Sequence, residues 1–222
     1  MSTQFTGHLA KMEVTLGDTV SYQLPLDDHR VPLNEAIGES IAIEHIGDIH
    51  CIHCGRRSKK SFSQGYCYPC FTKLPQCDTC IMSPERCHFH HGTCRDPAWG
   101  EKYCFTDHFV YLANSSGVKV GITRGTQLPT RWIDQGATQG LPIFRVQTRY
   151  QAGLIEDCIR EFVADKTSWQ KMLKGNAESV DLAAIRDDLL AKAESGLELL
   201  EQEFWLQALQ RLYNETTTEI NF

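Results

Sequence analysis

The residues in this sequence best suited to do chemistry are its cysteines. Nine of the ten fall between Cys51 and Cys104, and only Cys158 lies elsewhere. The N-terminus has no basic stretch followed by an apolar stretch, so it does not resemble a secretory signal. Closely spaced cysteines in a chain without such a signal are typical of metal binding rather than of disulfide bonds. The pattern therefore predicts a cytoplasmic, zinc-binding protein.

Two CxxC pairs form the clearer zinc site. Cys51 and Cys54 are followed, after 12 intervening residues, by Cys67 and Cys70. Each pair places two sulfur atoms on one tight turn, and the intervening segment is long enough to bring the second pair back to the first. We therefore expect the four thiolates to converge tetrahedrally on one zinc ion.

A second group of cysteines predicts a second zinc ion and leaves its ligands open. Cys77 and Cys80 form a third CxxC pair, which needs two more ligands. The nearest candidates are Cys87 and Cys94, and the alternatives are Cys104 and His108. Interleaved pairing among the three CxxC motifs is equally compatible with the spacing.

The segment between the first two CxxC motifs is strongly basic. It contains Arg56, Arg57, Lys59, Lys60 and Phe62. Cations at the tip of a zinc loop suit phosphate contacts, and an aromatic ring suits base stacking. The same composition also suits a solvated loop that keeps the protein soluble, so both interpretations stay open.

Charge is distributed unevenly along the chain. Residues 1–50 carry two basic and eight acidic residues, and residues 150–222 carry seven and 14. Residues 51–149 carry 13 basic and six acidic residues, an excess of seven. Two zinc sites of four thiolates each would lower this excess to about three. A basic centre favours a polyanionic partner, here DNA or RNA.

Hydrophobic patterning predicts an α+β chain in four parts. Apolar stretches at residues 9–16, 20–26 and 41–49 alternate with turns and predict a small antiparallel sheet. The predicted parts are a β-rich N-terminal module (1–50), a zinc-knuckle region (51–104), an α/β module (105–174) and C-terminal helices (175–222).

The α/β module is predicted to contain a hairpin, a helix, a third strand and a second helix. Residues 109–113 and 118–124 are rich in β-branched and aromatic side chains around a Ser/Gly turn. A short helix follows Pro129, and an alternating strand is predicted from Pro142 to Tyr150. The last helix has an apolar stripe, formed by Ile155, Cys158, Ile159 and Phe162.

The C-terminal part is predicted to be a helical hairpin. Two leucine-rich stripes, one at residues 182–190 and one at residues 197–212, are separated at Gly196. Such a hairpin either packs on the core or mediates a homodimer. The sequence contains no apolar run of about 20 residues, so no membrane span is expected.

The order of motifs in the α/β module resembles the GIY-YIG nuclease superfamily. The matching segments are Phe109-Val110-Tyr111, Lys119-Val120-Gly121, Thr130-Arg131-Trp132 and Glu156, which together span about a quarter of the chain. The whole chain also resembles an uncharacterised bacterial family that joins zinc knuckles to such a module.

The resemblance implies roles for particular residues in phosphodiester cleavage. Tyr111 would orient or deprotonate the attacking water, Arg131 would bind the phosphate, and Glu156 would hold Mg²⁺ or Mn²⁺. Gly121 would permit close backbone approach. Lys119 stands where a second tyrosine is usual and cannot donate and accept as a phenol does. The only candidate for the amide that completes such sites is Asn176.

A non-catalytic alternative follows from the same residues. The chain would then keep the nuclease-like fold as a nucleic-acid-binding or protein-interaction adaptor. Additional positive charge near the predicted sheet would support docking of a nucleic acid in either case. It comes from Arg124, Arg145 and Arg149.

Overall fold

The structure, a computed structural model, describes residues 4–163, 170, 177–204 and 209–222. Strands and helices are mixed, so the predicted α+β class is confirmed. The strands are β1 (Glu13–Thr15), β2 (Ser21–Leu26), β3 (His29–Pro32), β4 (Ile49–His50), β5 (Arg57–Ser58), β6 (His108–Asn114), β7 (Val118–Arg124), β8 (Gln139–Val146), β9 (Leu209–Arg211) and β10 (Thr218–Glu219). The helices are α1 (Tyr68–Lys73), α2 (Thr79–Met82), α3 (Pro97–Cys104), α4 (Thr130–Ile133), α5 (Arg149–Ile159) and α6 (Leu182–Phe204).

The hairpin of β6 and β7 forms one side of a five-stranded antiparallel sheet, in which β7 is an edge strand. Its register runs without a shift from His108 opposite Arg124 to Asn114 opposite Val118. The turn contains Gly117 with φ of +134°, a conformation that favours glycine. β8 pairs with the other side of β6, and β9 and β10 both pair with the outer edge of β8. The predicted hairpin is therefore present, and strands from beyond residue 174 complete its sheet.

Both faces of this sheet are buried. Side chains such as Val110, Leu112 and Val120 pack on one face with α5 and α6. On the other face, Tyr111 and Ala113 pack against residues of α4, the N-terminal sheet and the C-terminal segment. Alternation along β6 explains this division, because successive side chains of a strand point to opposite faces.

The predicted third strand is too long at its C-terminal end. β8 stops at Val146, and residues 149 and 150 already belong to α5. The reason is a capping box, in which the Gln151 amide N–H donates to Thr148 Oγ1 at 3.2 Å. The Gln151 side chain accepts in return from the Thr148 N–H at 3.0 Å. Such reciprocal bonds satisfy amides at the start of a helix, which favours α5 over a continued strand.

The predicted C-terminal helical hairpin is wrong. One helix, α6, runs through Gly196, and the chain then returns as β9 and β10. A Cβ atom at Gly196 would lie 2.5 Å from Cys158 Sγ, so this glycine allows α6 to approach α5 rather than ending a helix. The leucine stripe that suggested a dimer contact packs inside the chain, with Leu182, Leu189 and Leu197 all buried.

The N-terminal region contains the expected small antiparallel sheet, in the order β1-β2-β3. The strand predicted at residues 41–49 is wrong except at its end. Residues 41–48 form no strand, and Ile49–His50 pairs instead with Arg57–Ser58 in the zinc loop. Apolar alternation alone does not make a strand without a neighbour to pair with. No helix in the described parts of the chain is long and apolar enough to cross a bilayer.

We predict that Gly121→Ala destabilises the fold. A Cβ atom there would lie 2.7 Å from Tyr111 Oη and 2.8 Å from Tyr111 Cζ. Overpacking of this kind costs about 1–3 kcal/mol of unfolding free energy, measurable by urea denaturation. Gly47→Ala is the matched control, because nothing lies within 4 Å of the position that its Cβ atom would take. If Tyr111→Leu does not relieve the loss in the double variant, the contact is not its cause.

Candidate functional site

The thiols of Cys51, Cys54, Cys67 and Cys70 converge. Their four sulfur atoms all lie within 4.8 Å of one another, and those of Cys54 and Cys67 are 3.7 Å apart. Zinc–sulfur bonds of about 2.3 Å in a tetrahedron place sulfur atoms about 3.8 Å apart. The predicted convergence is confirmed, and the four thiols can hold a zinc ion.

Local hydrogen bonds hold both CxxC motifs in place. The Cys51 N–H donates to the Arg56 carbonyl, and the Gly55 N–H donates to the Cys51 carbonyl, each at 2.9 Å. Gly55 has φ of +67°, which lets this turn close tightly. Cys67 stands at the N-terminal cap of α1, and its carbonyl accepts from the Phe71 N–H at 2.9 Å. A two-residue strand pair and a short helix therefore present the sulfur atoms.

The electrostatics of this cluster favour a cation. Burial raises the pKa of Cys51, but the N–H groups of Cys54, Cys67 and His53 outweigh it and bring the pKa down to about 6. Burial and hydrogen bonds with the other three thiols raise the pKa of Cys70 to about 12. The first thiolate thus forms readily and the last does not, because like charges at this distance repel. A bound divalent ion would remove that repulsion.

The two cysteines of the third CxxC pair, Cys77 and Cys80, have different surroundings. Cys77 is buried near Ser63, Arg95 and Cys51, so it lies toward the first cluster. Cys80 is surrounded instead by other acidic groups: Asp78, Cys87, Cys104 and Cys94. The sulfur of Cys80 also lies within 4.8 Å of ligand atoms of Asp78 and His88. The second zinc ion stays a prediction, and the surroundings of Cys77 argue against its being a ligand.

Asp78 has a structural role between the two cysteine groups. Its Oδ1 accepts from the Thr79 N–H at 2.6 Å and caps α2. Its Oδ2 lies 3.0 Å from Arg95 Nε, and Arg95 Nη1 donates to the carbonyls of Phe71 and Leu74, each at 3.1 Å. This buried ion pair joins the end of α1 to the start of the second cysteine group.

His108, the other predicted ligand, is fully buried at the start of β6. Its Nδ1 lies 2.7 Å from the Thr106 carbonyl, to which it donates, so Nε2 carries the lone pair. Burial, with Arg149 and Arg124 adding to it and the Thr106 bond opposing it, lowers the pKa of His108 to about 4. His108 is therefore neutral at pH 7.

On the sheet, Tyr111 lies opposite Gly121 and is completely buried. Its hydroxyl donates to Gln135 Oε1 at 3.2 Å. Burial raises the pKa of Tyr111, the nearby Arg131 and the Gln135 bond oppose this, and Glu156 adds to it. The predicted tyrosine, arginine and glutamate are thus electrostatic neighbours.

Lys119 and Gln135 also lie near these residues. Lys119 is only 4% exposed, and burial together with the charge of Arg131 lowers its pKa to about 8. Lys119 is therefore still mostly protonated at pH 7. The expected amide, Asn176, lies outside the described parts of the chain. The amide that the structure does place against Tyr111 is that of Gln135. Sequence reasoning missed Gln135 because only the fold brings it to Tyr111.

The arginines predicted to bind nucleic acid near the sheet are held by other contacts. Arg145 forms an ion pair with Asp107, with Nε 3.0 Å from Oδ2. Arg149 donates to the Ile81 carbonyl at 2.6 Å, and Arg124 lies 5.7 Å from the centre of the Tyr103 ring. The four cations of the zinc loop, by contrast, are all exposed: Arg56, Arg57, Lys59 and Lys60.

Comparison with known proteins identifies a family. The family model described as "Protein of unknown function (DUF2797)" matches residues 38–222. The chain belongs to this family. No curated protein and no solved structure matches the chain. The match covers both cysteine groups and the central sheet, whereas β1, β2 and β3 of this DUF2797 protein lie outside it.

The function of the DUF2797 family is unknown, so membership assigns no activity to the chain. The resemblance to GIY-YIG nucleases therefore stays a hypothesis that the comparisons do not support. Independently of that resemblance, Arg131 and Glu156 act electrostatically on the buried phenol of Tyr111, and Arg131 also acts on Lys119.

We predict that Cys54→Ser lowers the zinc content of the DUF2797 protein by about one ion per chain, because three thiolates hold zinc more weakly than four. Elemental analysis of the purified chain measures this. Cys54 is the exposed member of the cluster, so its replacement disturbs packing least. Cys158→Ser, on α5, is the control and should leave the zinc content unchanged. Equal zinc in both variants would rule out this cluster as a zinc site.

Proposed function

We propose that this DUF2797 protein holds zinc at Cys51, Cys54, Cys67 and Cys70 and binds nucleic acid through the loop that this ion closes. The observation that carries the proposal is the combination of exposed cations on that loop with aromatic rings of the loop and of α1 that contact one another. Single strands are the preferred form, because their unpaired bases can stack on such rings.

Three aromatic side chains form the proposed stacking surface. Phe62 stacks on Phe71, with ring centres 5.7 Å apart at 26°, and meets the edge of Tyr68 at 5.5 Å. Tyr68 is 60% exposed, so one ring of the group is open to solvent. Phe62, which is itself stacked on Phe71, contacts that open ring. Base stacking on an exposed aromatic side chain contributes about 1–3 kcal/mol per base.

The cations lie on the same loop as Phe62, and one of them lies over its ring. Lys60 Nζ is 5.3 Å from the centre of the Phe62 ring. Arg57 forms an ion pair with Asp48 at 2.8 Å, yet its side chain is 74% exposed. Arg56 and Lys59 are exposed as well. Cations in this position suit the phosphates on either side of a stacked base, which supports binding that weakens as salt rises.

We predict that a Lys59→Ala, Lys60→Ala double variant weakens binding of a fluorescein-labelled oligonucleotide and reduces the slope of log K against log salt by about 1–2. Tyr68→Ala should weaken binding by about tenfold, with little change in that slope, because it removes stacking and no charge. Fluorescence anisotropy with single-stranded DNA, single-stranded RNA and duplex DNA across a salt series measures both effects.

Two variants outside the loop serve as controls. Lys192→Ala removes an exposed lysine of α6, and Tyr213→Ala removes a tyrosine that is 52% exposed in the C-terminal segment. Both should bind as the unaltered chain does. Binding that is independent of salt, or equal losses in the loop variants and the controls, would contradict the proposed surface.

A second candidate function is metal-dependent cleavage of phosphodiesters at the central sheet. The observation that favours it is the position of Arg131, whose charge acts on both Tyr111 and Lys119. Arg131 is exposed and suits a phosphate oxygen, and Glu156 is half-buried and suits Mg²⁺ or Mn²⁺. Tyr111 has no exposed surface, so in this fold it positions its neighbours through Gln135 rather than contacting a substrate.

For this candidate we expect Mg²⁺- or Mn²⁺-dependent nicking of a nucleic acid that falls by about 10²–10³-fold in Arg131→Ala and Glu156→Gln. Gel assays on DNA and RNA, with and without each metal, measure it. Arg160→Ala is the control, since Arg160 lies just after α5 and is paired with Asp157. Cleavage that survives both site variants, or its absence with either metal, excludes this second function and leaves the binding function in place.

A further inference from the structure

A carboxylate, a thiol and an imidazole meet beside the start of α2. Asp78 precedes this helix, Cys80 lies within it, and His88 follows the 3₁₀ turn of residues 84–86. One ligand atom from each of these three residues lies within 4.8 Å of the other two. In the described parts of the chain, the four-thiol cluster is the only other group that meets this distance. The three side chains therefore form a second place where a cation can be held.

Two hydrogen bonds determine which ring nitrogen of His88 carries the proton. The hydroxyl of Thr93 donates its one hydrogen to the His88 carbonyl at 3.3 Å. His88 Nδ1 lies 2.8 Å from the same hydroxyl oxygen, so Nδ1 carries the ring proton and donates it. Gly92, with φ of +70°, ends the turn between these two residues and brings Thr93 back to His88. The Nε2 atom of neutral His88 is thus left with a lone pair.

That lone pair faces a carboxylate. His88 Nε2 lies 3.4 Å from Asp78 Oδ2, and the Asp78 side chain is only 9% exposed. Two hydrogen-bond acceptors at this distance repel each other unless a cation lies between them. Zinc bonds of about 2.0–2.1 Å to nitrogen and oxygen, at a tetrahedral angle, place those two atoms about 3.3–3.4 Å apart. The separation therefore fits a metal ion held by both side chains.

The other contacts of Asp78 are compatible with a bound metal ion. Its Oδ1 accepts from the Thr79 N–H at 2.6 Å, and its Oδ2 lies 3.0 Å from Arg95 Nε. A carboxylate oxygen has two lone pairs, so Oδ2 can keep its contact with Arg95 and still bind a metal ion. Hydrogen bonds of this kind orient the carboxylates that bind metals. The carboxylate is therefore fixed in direction before any ion arrives.

We propose that Asp78, Cys80 and His88 bind a second zinc ion through Oδ2, Sγ and Nε2, and that Thr93 positions His88 for it. Oxygen, sulfur and nitrogen donors together suit a borderline-soft divalent ion such as zinc. The carboxylate and the thiolate balance the charge of this ion, whereas the four thiolates of the first site leave a net charge of −2. Three protein ligands leave the fourth position to water.

This ligand set differs from those that the cysteine spacing predicts. Of the ligands predicted for the second ion, only Cys80 belongs to it. The spacing of the cysteines does not indicate Asp78 and His88, because the fold decides which side chains meet. Cys87 and Cys94 are neighbours of His88 and Thr93 in the sequence, so the experiment must separate them from the proposed ligands.

Cobalt(II) in place of zinc gives a measurement on the unaltered full chain. Protein produced in medium with cobalt in place of zinc should contain two cobalt ions per chain. Its thiolate absorption should correspond to about five cobalt–sulfur bonds, against about eight for two four-thiolate sites. An absorption of eight overturns the ligand set. One cobalt ion per chain overturns the site itself and shows that a proton, rather than a metal ion, lies between His88 and Asp78.

Variants of the ligands identify the residues involved. Asp78→Asn and His88→Ala should each lower the zinc content from two ions to about one, with the first site still filled. His90→Ala is the matched control and should retain both ions, since this neighbouring histidine lies 5.7 Å from the Tyr150 ring instead. Two ions in His88→Ala, or loss of one in Cys87→Ser or Cys94→Ser, overturns the proposed set.

The positioning role of Thr93 has its own measurement. Thr93→Val should weaken retention of one of the two zinc ions by about tenfold in competition with a chelator, because Nδ1 loses its acceptor. Thr93→Ser keeps the hydroxyl and should retain that ion as the unaltered chain does. Thr72→Val is the control, because it removes a hydroxyl that donates to carbonyls of its own helix, α1. Equal retention in Thr93→Val and the unaltered chain overturns this role and leaves the first zinc site untouched.

Discussion

Repulsion between neighbouring thiolates is the constraint on which the cysteine-rich segment of this protein, residues 51–104, depends. The regular structure of residues 49–104 consists of two two-residue strands, 3₁₀ turns of three residues and α-helices of four to eight residues. Such short elements bury too little apolar surface to fold alone. Four sulfur atoms within 4.8 Å of one another compensate for this only when a cation allows them to ionise together. The cation-binding loop and its exposed aromatic surface therefore form, or are lost, as one unit.

The central sheet is stabilised differently, by burial on both faces and by a polar network at one end. Asn114 Nδ2 donates to Gln139 Oε1 at 3.0 Å and to the Glu178 carbonyl at 2.8 Å. Gln139 Nε2 donates in turn to Ser179 Oγ and Glu219 Oε1, each at 2.9 Å. These satisfied buried amides connect β6 and β8 to the segment before α6 and to β10. The C-terminal residues are thereby part of the sheet rather than an appendage to it.

The features predicted correctly from the sequence are those set by local spacing. The CxxC pairs and the β6–β7 hairpin each depend on residues a few positions apart, so their pattern is visible in the chain itself. The predictions are wrong where a contact between residues far apart in the sequence determines the local structure. A glycine such as Gly196 is typical of a helix break. Here the helix continues, and the position lacks a side chain because Cys158 on α5 packs against it. Cys77 and Cys80 share a motif, yet the fold turns them toward different clusters, and nothing in their spacing distinguishes the two.

The same distinction separates the two candidate functions. The proposed binding surface depends on residues of the zinc loop and of the adjoining helix α1. Tyr68 and Lys60 are open to solvent, so the surface needs no rearrangement to meet a nucleic acid. The proposed cleavage site depends on a tyrosine with no exposed surface, which is buried in one cluster with Trp132 and with Val20 of the N-terminal region. Val20 precedes residue 38, where the family match begins. The cover over Tyr111 is thus partly supplied by a segment outside the matched region, and the binding surface lies wholly within it.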